Sequence, residues 1–279
     1  MTTPHHLTPA AGPVRLEVTP ESAGWTHLAQ RIVALEPGGT HRWLAGDREA
    51  ALIPLSGAMT VRAGGLEVRL ERASVFTAMP TLVYVPPRTE LTVTADTAAE
   101  FSLGSAPAEG RHPVRVVEPG EMRNEIRGGG GARRQVVHVL APPLPAERLI
   151  CYEVYVPRGS WSGWPPHCHD GRDGSPYLEE TYLFRCDPPS GFALHRNWRD
   201  EESFDEVFAA ADGDLVLVTR GYHSSAAAPG SHVWFLNYLA GELIDAERAT
   251  PPCFHADHTW IVDDWDAGSW ELPVVTAAG

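Results

Sequence analysis

Glycine and proline interrupt this chain so often that long helices are excluded from most of it. The 279 residues include 26 glycines and 25 prolines, which separate short apolar runs rather than runs of helical periodicity. The predicted strands of the first half are 30–35, 51–55, 59–62, 66–70, 74–76, 82–85 and 91–95, and those of the second half are 135–140, 150–156, 182–184, 191–198, 214–219 and 232–239. Strands at this spacing predict an all-β sandwich or barrel.

A run of four glycines at residues 128–131 divides these strands into two groups. We therefore predict two β domains, residues 1–131 and 132–279, joined at this run. A phosphate-binding loop is the alternative interpretation, but the G-x-G-x-x-G spacing and the lysine are both missing. The proline-rich segment that holds His5 and His6 is expected to be disordered.

The charged residues exclude several classes of function. All 22 basic residues are arginines against 36 acidic residues, and the net charge of −14 disfavours a nucleic-acid partner. The absence of lysine excludes Schiff-base aldolases, pyridoxal-phosphate enzymes and P-loop nucleotide hydrolases. Neither an apolar run of about 18 residues nor a signal segment is found, so we expect no membrane span and a cytoplasmic protein. Four scattered cysteines predict reduced thiols.

Two histidines, His167 and His169, are the centre of a predicted metal site. Residues two apart on a strand point to the same face, so both imidazoles can bind one ion. A turn-rich loop then leads to the acidic pair Glu179 and Glu180, and His223 follows a later strand after a glycine turn. Imidazole and carboxylate ligands suit Zn, Mn or Fe, and four of them leave coordination positions open.

The alternation of side chains along a strand also predicts the directions in which the neighbouring residues point. Glu179 and Glu180 point to opposite faces, and Glu180 shares its face with Tyr182, which favours Glu180 as the ligand. The thiol of Cys168 is expected to point away from the ion and to pack as a small residue. His255 and His258 form a second small cluster, which we interpret as loop packing rather than as a second metal site.

The pattern H-x-H, then Glu, then a glycine turn before the last His resembles the metal motifs of the cupin superfamily. The resemblance to the 5-deoxy-glucuronate isomerase (IolB) family is closer and covers nearly the whole chain. It rests on several segments: Leu82-Val-Tyr-Val-Pro-Pro, Arg127-Gly-Gly-Gly, Trp164-Pro-Pro-His-Cys-His-Asp, Tyr177-Leu-Glu-Glu-Thr-Tyr, Asp212-Gly-Asp-Leu-Val-Leu-Val and Gly221-Tyr-His. This resemblance implies a bicupin of two jelly-roll barrels, of which the first is metal-free.

The resemblance also implies an activity and a set of site residues. The ligands would be His167, His169, Glu180 and His223, and the reaction would convert 5-deoxy-D-glucuronate to 5-dehydro-2-deoxy-D-gluconate in myo-inositol catabolism, without a nucleotide cofactor.

The proposed chemistry is a metal acting as a Lewis acid on the aldehyde and its neighbouring hydroxyl while a base moves a proton from C2 to C1. The candidate bases are Tyr182, His195, Glu179 and a metal-bound hydroxide. The substrate carboxylate is expected to bind Arg196 or Arg185. Tyr182 is also expected to contact the substrate. The alternatives are an Fe-dependent cupin dioxygenase and a non-catalytic sugar-binding cupin, and a homo-oligomer is a further expectation.

Overall fold

The computed structural model describes residues 5–172 and 174–265. Almost all of the regular structure in these ranges is β-strand, which confirms the predicted all-β class. The strands are β1 His6–Leu7, β2 Val14–Val18, β3 Ala29–Leu35, β4 Thr40–Leu44, β5 Arg48–Ala63, β6 Leu66–Arg72, β7 Leu82–Val85, β8 Glu90–Ala95, β9 Ala99–Pro107, β10 Arg115–Val117, β11 Arg123–Arg127, β12 Arg134–Leu140, β13 Ile150–Val156, β14 Trp161–Cys168, β15 Leu178–Asp187, β16 Phe192–Arg199, β17 Phe204–Ala211, β18 Leu215–Val218, β19 Tyr222–Ala227, β20 His232–Gly241 and β21 Cys253–Phe254.

Helices are short. The α-helix α1 spans Pro20–Ala23, and 3₁₀ turns occupy Pro119–Glu121, Gly130–Ala132, Asp200–Glu202, Asp245–Ala249 and Ala256–Asp263. None of the helices in the described part of the chain has the length and apolar character required to cross a bilayer. The strand predicted at residues 74–76 is instead a turn, and the strands predicted at 51–55 and 59–62 are parts of the single strand β5.

The described strands form two curled antiparallel units. The N-terminal unit is a nine-stranded sheet in which β5 pairs with β7 and β9 through its first half and with β6 and β8 through its second half. The C-terminal unit has two sheets that face each other, with the strand orders β1-β18-β15-β20-β13-β12-β11 and β17-β16-β19-β14-β21. We call these units the N-barrel and the C-barrel.

The glycine run at 128–131 does not join the barrels. It forms the turn between β11 and β12, which pair with each other in the C-barrel from Arg123 opposite His138 to Arg127 opposite Arg134. The N-terminal segment also belongs to the C-barrel, because β1 pairs with β18 and His6 Nε2 lies 2.8 Å from Asp214 Oδ2. The expectation of a disordered N-terminus is therefore wrong for the described part of that segment. A boundary at residue 131 stays a prediction, and the strand pairing crosses it.

The barrels share an apolar core. Ile53, Leu55 and Tyr84 of the N-barrel belong to the same buried cluster as Trp234 and Tyr238 of the C-barrel. The Tyr238 hydroxyl donates to the carbonyl oxygen of Ala51 at 3.0 Å. A side chain at Gly104 would overlap the Tyr238 ring, since a Cβ atom there would lie 2.3 Å from Cδ1. Glycine at this position thus permits the close packing of the two barrels.

Two buried carboxylates connect the barrels reciprocally. Glu49 on β5 accepts hydrogen bonds of 2.6–2.8 Å from the backbone N–H groups of 147–149, just before β13. Glu179 on β15 accepts bonds of 2.7–2.8 Å from the N–H groups of 26–28, just before β3. Each barrel therefore fixes the segment that leads into a strand of the other barrel, β13 or β3, and the matched positions indicate that β5 and β15 are equivalent. Carboxylates that accept backbone N–H bonds are among the stronger polar contacts in a protein interior.

Candidate functional site

Three histidines meet inside the C-barrel. His167 on β14 lies directly opposite His223 on β19, and their ring centroids are 4.3 Å apart. His169 follows β14, and its ring centroid lies 5.1 Å from that of His223. One ligand atom from each of the three rings lies within 4.8 Å of the others, a spacing that a single ion can span.

Glu180 completes the cluster from the facing sheet. Its Oε2 lies 2.8 Å from His169 Nε2 and 3.2 Å from His223 Nε2. Burial raises the pKa of the Glu180 carboxyl, but the hydrogen bonds and charges of His169 and His223 outweigh burial, so the net shift is downward. The carboxylate is therefore ionised where it faces the imidazoles.

Glu179 points the opposite way, as strand alternation predicts. Both of its carboxylate oxygens are taken by the backbone of residues 26–28 in the N-barrel. The geometry thus favours Glu180 over Glu179 as a metal ligand, and it removes Glu179 from the candidate bases because its carboxylate is turned away from the three histidines.

Hydrogen bonds to neighbouring groups hold the ligand side chains in place. His169 Nδ1–H donates to the Leu178 carbonyl at 2.8 Å, which directs Nε2 towards Glu180. Asp170 accepts from the Gly221 N–H at 2.7 Å and from the Arg199 guanidinium at 2.8 Å, and so joins the end of β14 to the turn before His223. Gly221 has a φ of +76°, and a Cβ there would lie 2.2 Å from the Trp198 carbonyl oxygen. The Gly-x-His pattern therefore reflects a turn that only glycine fits.

The donor set fits a divalent cation. Both ring nitrogens of His223 are buried, and Nε2 faces the Glu180 carboxylate at 3.2 Å. Burial, followed by the charges of His223 and His169, lowers the pKa of His167 well below its usual range, so that ring is neutral. Three imidazoles enclosed around one ionised carboxylate are costly to bury without an ion and are suited to binding one. Within the described ranges this is the one cluster of its kind.

The cluster borders a cavity of about 640 Å³, and His167, His169, Glu180 and Tyr182 are among the residues that line it. Tyr182 is 5% exposed, and its ring centroid is 5.7 Å from that of His223. Burial, with the charge of Glu180 second, raises the pKa of Tyr182 well above its usual range. The phenol therefore keeps its proton and can donate a hydrogen bond into the cavity.

His195 does not reach the cavity. It is fully buried behind Tyr182 and His223, where its Nε2–H donates to Asn197 Oδ1 at 2.9 Å and its Nδ1 accepts from the Ser225 hydroxyl at 2.8 Å. Burial, with the charge of His223 second, lowers the pKa of His195 to about 3. Both nitrogens are occupied, so the contacts do not support the expected catalytic role.

Arg196 lies on the opposite face of the same strand and outside the cavity. Its guanidinium pairs with Asp205 at 2.7 and 2.8 Å and lies over the Trp198 ring, and its side chain is 43% exposed. Arg185 pairs with Glu100 at 2.6 Å, also away from the cavity. Adjacent strand residues point to opposite sides, so Arg196 cannot share the interior with His195.

The arginines that line the cavity are Arg123, Arg127 and Arg134, on β11 and β12. Sequence reasoning did not place these arginines at the site, although Arg127 and the glycine run beside it were part of the family resemblance. A signal was present in the sequence: four arginines, at positions 123, 127, 133 and 134, surround a glycine-rich turn in a chain that is otherwise strongly acidic.

Two other expectations can be compared with the structure. Cys168 points away from the cluster and packs with Trp198 and Tyr222, and burial raises its pKa to about 11. Its interpretation as a packed residue is confirmed.

His255 Nε2 lies 2.9 Å from Asp200 Oδ2, and the ring centroid of His258 is 4.8 Å from that of His255. These contacts agree with a packing role for the C-terminal pair.

Comparisons with known proteins agree with this architecture. The chain is 37% identical over 259 residues to a 5-deoxy-glucuronate isomerase of Geobacillus kaustophilus, covering 89% of this chain and 90% of that protein. It is 30% identical to a 5-deoxy-glucuronate isomerase of Bacillus subtilis, covering 88% and 92% of the two chains. The crystal structure of an IolB-like protein from Salmonella typhimurium superposes with a TM-score of 0.88 at 34% identity, covering 92% of this chain and 99% of that one.

More distant structures show the fold alone. Bacillus subtilis oxalate decarboxylase superposes over 88% of this chain and 79% of its own with a TM-score of 0.61 at 13% identity. These likenesses and the two curled β units confirm the predicted bicupin fold. The model of the KduI/IolB family matches residues 3–261, and this chain belongs to that family.

Proposed function

We propose that this chain is a 5-deoxy-glucuronate isomerase, which converts 5-deoxy-D-glucuronate to 5-dehydro-2-deoxy-D-gluconate in myo-inositol catabolism. The observation that carries the proposal is the cluster of three imidazoles and one carboxylate beside a cavity in a chain of this family. The relatives that carry the isomerase name match over almost their whole length.

His167, His169, His223 and Glu180 would hold a divalent ion of the Zn, Mn or Fe type. Bound there, the ion would supply Lewis acidity to the carbonyl and hydroxyl oxygens of the substrate. The four side chains come from three strands and the segment after β14, so they are fixed before the substrate arrives. Such preorganisation lowers the cost of bringing the oxygens of the substrate into position.

The isomerisation moves one proton from C2 to C1 and one from the C2 hydroxyl to the aldehyde oxygen. Tyr182 is the proton donor that we assign, because its protonated phenol lines the cavity next to the histidine cluster. It can hold a proton at Oη and deliver it to an oxygen that becomes a hydroxyl. His195 supports this geometry from behind, where its ring centroid lies 4.7 Å from that of Tyr182.

The first test is metal analysis of the purified protein combined with a ketose assay on 5-deoxy-D-glucuronate, before and after chelation. We expect about one ion per chain and loss of activity on chelation that returns when a divalent metal is added. Bound metal without ketose formation would overturn the proposed reaction. Dioxygen consumption would then indicate the dioxygenase alternative, and neither reaction would leave a binding protein.

A cytoplasmic location and a homo-oligomeric assembly belong to the same proposal. All four cysteines are free thiols in the structure, as a reducing compartment would maintain them. Gel filtration with light scattering would measure the number of copies per assembly.

A further inference from the structure

The charges that line the cavity differ from those of the chain as a whole. The formal net charge is −14, yet the charged residues that line this cavity are three arginines and one glutamate, Glu180. Glu180 faces the histidine cluster, so its charge is directed at the metal site rather than at the arginines. A concave surface with excess positive charge attracts anions and favours their binding.

Two of the three arginines are already neutralised in part. Arg123 and Arg127 both pair with Glu125, at 3.2 and 2.6 Å. Both also lie within hydrogen-bonding distance of His138 Nε2, at 2.8 and 3.4 Å. The four side chains form one connected group at the rim of the cavity, which we call the rim cluster.

Arg134 is different. Its Nη1 donates to the carbonyl oxygens of Ala132 at 3.0 Å and of Trp164 at 3.3 Å, and no carboxylate of the described residues pairs with it. Burial, with the charge of Arg127 second, lowers the pKa of Arg134 to about 10, so the side chain remains a cation at neutral pH. A half-buried cation whose hydrogen bonds go only to backbone carbonyls is stabilised when an anion joins it.

The glycine-rich turn makes room for this guanidinium. Gly128 has a φ of +69°, and a Cβ there would lie 2.6 Å from Arg134 Nη1 and 2.4 Å from the Ala132 carbonyl oxygen. Trp164, which accepts the other hydrogen bond, precedes His167 by three residues on β14. The guanidinium is thereby fixed on the same cavity wall that carries the first metal ligand.

We infer that Arg134 binds the terminal carboxylate of an open-chain uronate whose aldehyde end lies at the histidine cluster. This inference rests on the proposed function, from which the substrate class is taken. Guanidinium and carboxylate pair through two parallel hydrogen bonds, so Arg134 fixes the orientation of the substrate as well as its affinity. Arg134 is a specificity-determining residue, because a neutral sugar of the same length lacks the group that it recognises.

The test compares 5-deoxy-D-glucuronate with 5-deoxy-D-glucose, which carries a hydroxymethyl group in place of the carboxylate. We expect Arg134→Gln to lower kcat/KM for the uronate about 100-fold, mostly through KM, and to change kcat/KM for the neutral sugar less than about threefold. Arg134→Lys keeps the charge without the paired geometry and should lose about tenfold with the uronate. Arg62→Gln, on the exposed surface of the N-barrel, is the matched control and should change neither value.

Calorimetric binding to the protein as purified gives a second readout that does not depend on turnover. D-gluconate is the charged probe and D-glucitol the neutral one. The wild type should bind D-gluconate more tightly, and Arg134→Gln should abolish the difference. Metal content and the thermal unfolding midpoint identify a variant that has merely lost its fold, in which case Arg134→Lys carries the test.

The outcomes separate this inference from the proposed function. If the wild type isomerises the uronate and Arg134→Gln keeps the full preference for it, the inference is wrong and the proposed function stands. If Arg127→Gln removes the preference instead, the carboxylate binds at the rim cluster and the assignment to Arg134 is overturned. If the wild type does not isomerise the uronate, the proposed function fails, and the binding of D-gluconate against D-glucitol decides the role of Arg134.

Discussion

The two barrels carry the same framework and fill it with different side chains. Glu49 on β5 and Glu179 on β15 make equivalent bonds to the opposite barrel. The next residue on each strand points into its own barrel, and it is Ala50 in the N-barrel and Glu180 in the C-barrel. The strand pair that brings His167 opposite His223 corresponds to the pair that brings Trp43 opposite Leu91.

The consequence is a division of labour between the barrels. The interior of the N-barrel is a continuous apolar cluster that includes Leu52, Val83 and Phe101. The interior of the C-barrel contains an apolar cluster and, in addition, a polar cluster and a cavity. The buried polar cluster is expensive on its own, and the shared apolar core between the barrels offsets that cost. A fold can thus retain its framework while one copy is specialised for stability and the other for chemistry.

The largest effect is expected at the metal site, where the barrels differ most. His169→Ala should reduce bound metal from about one ion per chain to near zero and lower isomerase activity about 1000-fold, because the ligand set loses one of its imidazoles. Elemental analysis and the ketose assay measure both quantities. His41→Ala on β4 of the N-barrel is the matched control and should leave metal content unchanged. Full metal occupancy in His169→Ala would show that the ion is held elsewhere.

Tyr182 provides the next largest effect. Tyr182→Phe removes the proton donor without removing a ligand, so we expect kcat to fall about 100-fold while metal content stays the same. Tyr84 in the N-barrel donates instead to Glu49 at 2.6 Å, and Tyr84→Phe should lower stability without changing kcat. Steady-state kinetics and elemental analysis of both variants test the assignment, and a kcat within twofold of the wild type in Tyr182→Phe would refute it.

The reciprocal carboxylates give a smaller effect, which should be equal in the two barrels. Glu49→Gln and Glu179→Gln should each lower the free energy of unfolding by about 2 kcal/mol, because each weakens bonds between a buried carboxylate and backbone N–H groups. Urea unfolding followed by fluorescence measures this change. Metal content should persist in both variants but disappear in Glu180→Gln. Loss of metal in Glu179→Gln alone would mean that the two adjacent glutamates have exchanged roles.

The smallest effect is predicted at Arg196. Its pair with Asp205 is exposed, and exposed ion pairs contribute at most about 1 kcal/mol. Arg196→Gln should therefore leave kcat/KM for the uronate within about twofold of the wild type, as kinetic measurement can establish. A KM raised tenfold or more would return Arg196 to the substrate site and contradict the outward orientation of its side chain.

The sequence was most informative where the argument was local. The two-residue spacing of His167 and His169 and the alternation around Glu180 predict the observed faces correctly, because period 2 is a property of every strand. The same alternation also argues against one pair of predicted site residues. His195 and Arg196 are adjacent on one strand, so both could not point into the barrel, and the structure places the arginine outside.

Long-range pairing decided the rest. The short segment at His6 was predicted to be disordered because it is proline-rich, but it pairs with β18, which lies more than 200 residues away. The glycine composition of the turn at Gly128 predicted a junction between two domains. The turn instead belongs to a hairpin of the C-barrel, which only the register of β11 on β12 reveals.

By itself the sequence determined the all-β class, the absence of lysine chemistry and the imidazoles that can share an ion. These follow from residue chemistry and from the geometry of single strands. Only the tertiary structure decided that Glu179 faces the other barrel, that His195 is enclosed, and that Arg134 rather than Arg196 lines the cavity. The physical reason is that burial and partner choice depend on which distant strands pair, and in which register, and no local pattern encodes that choice.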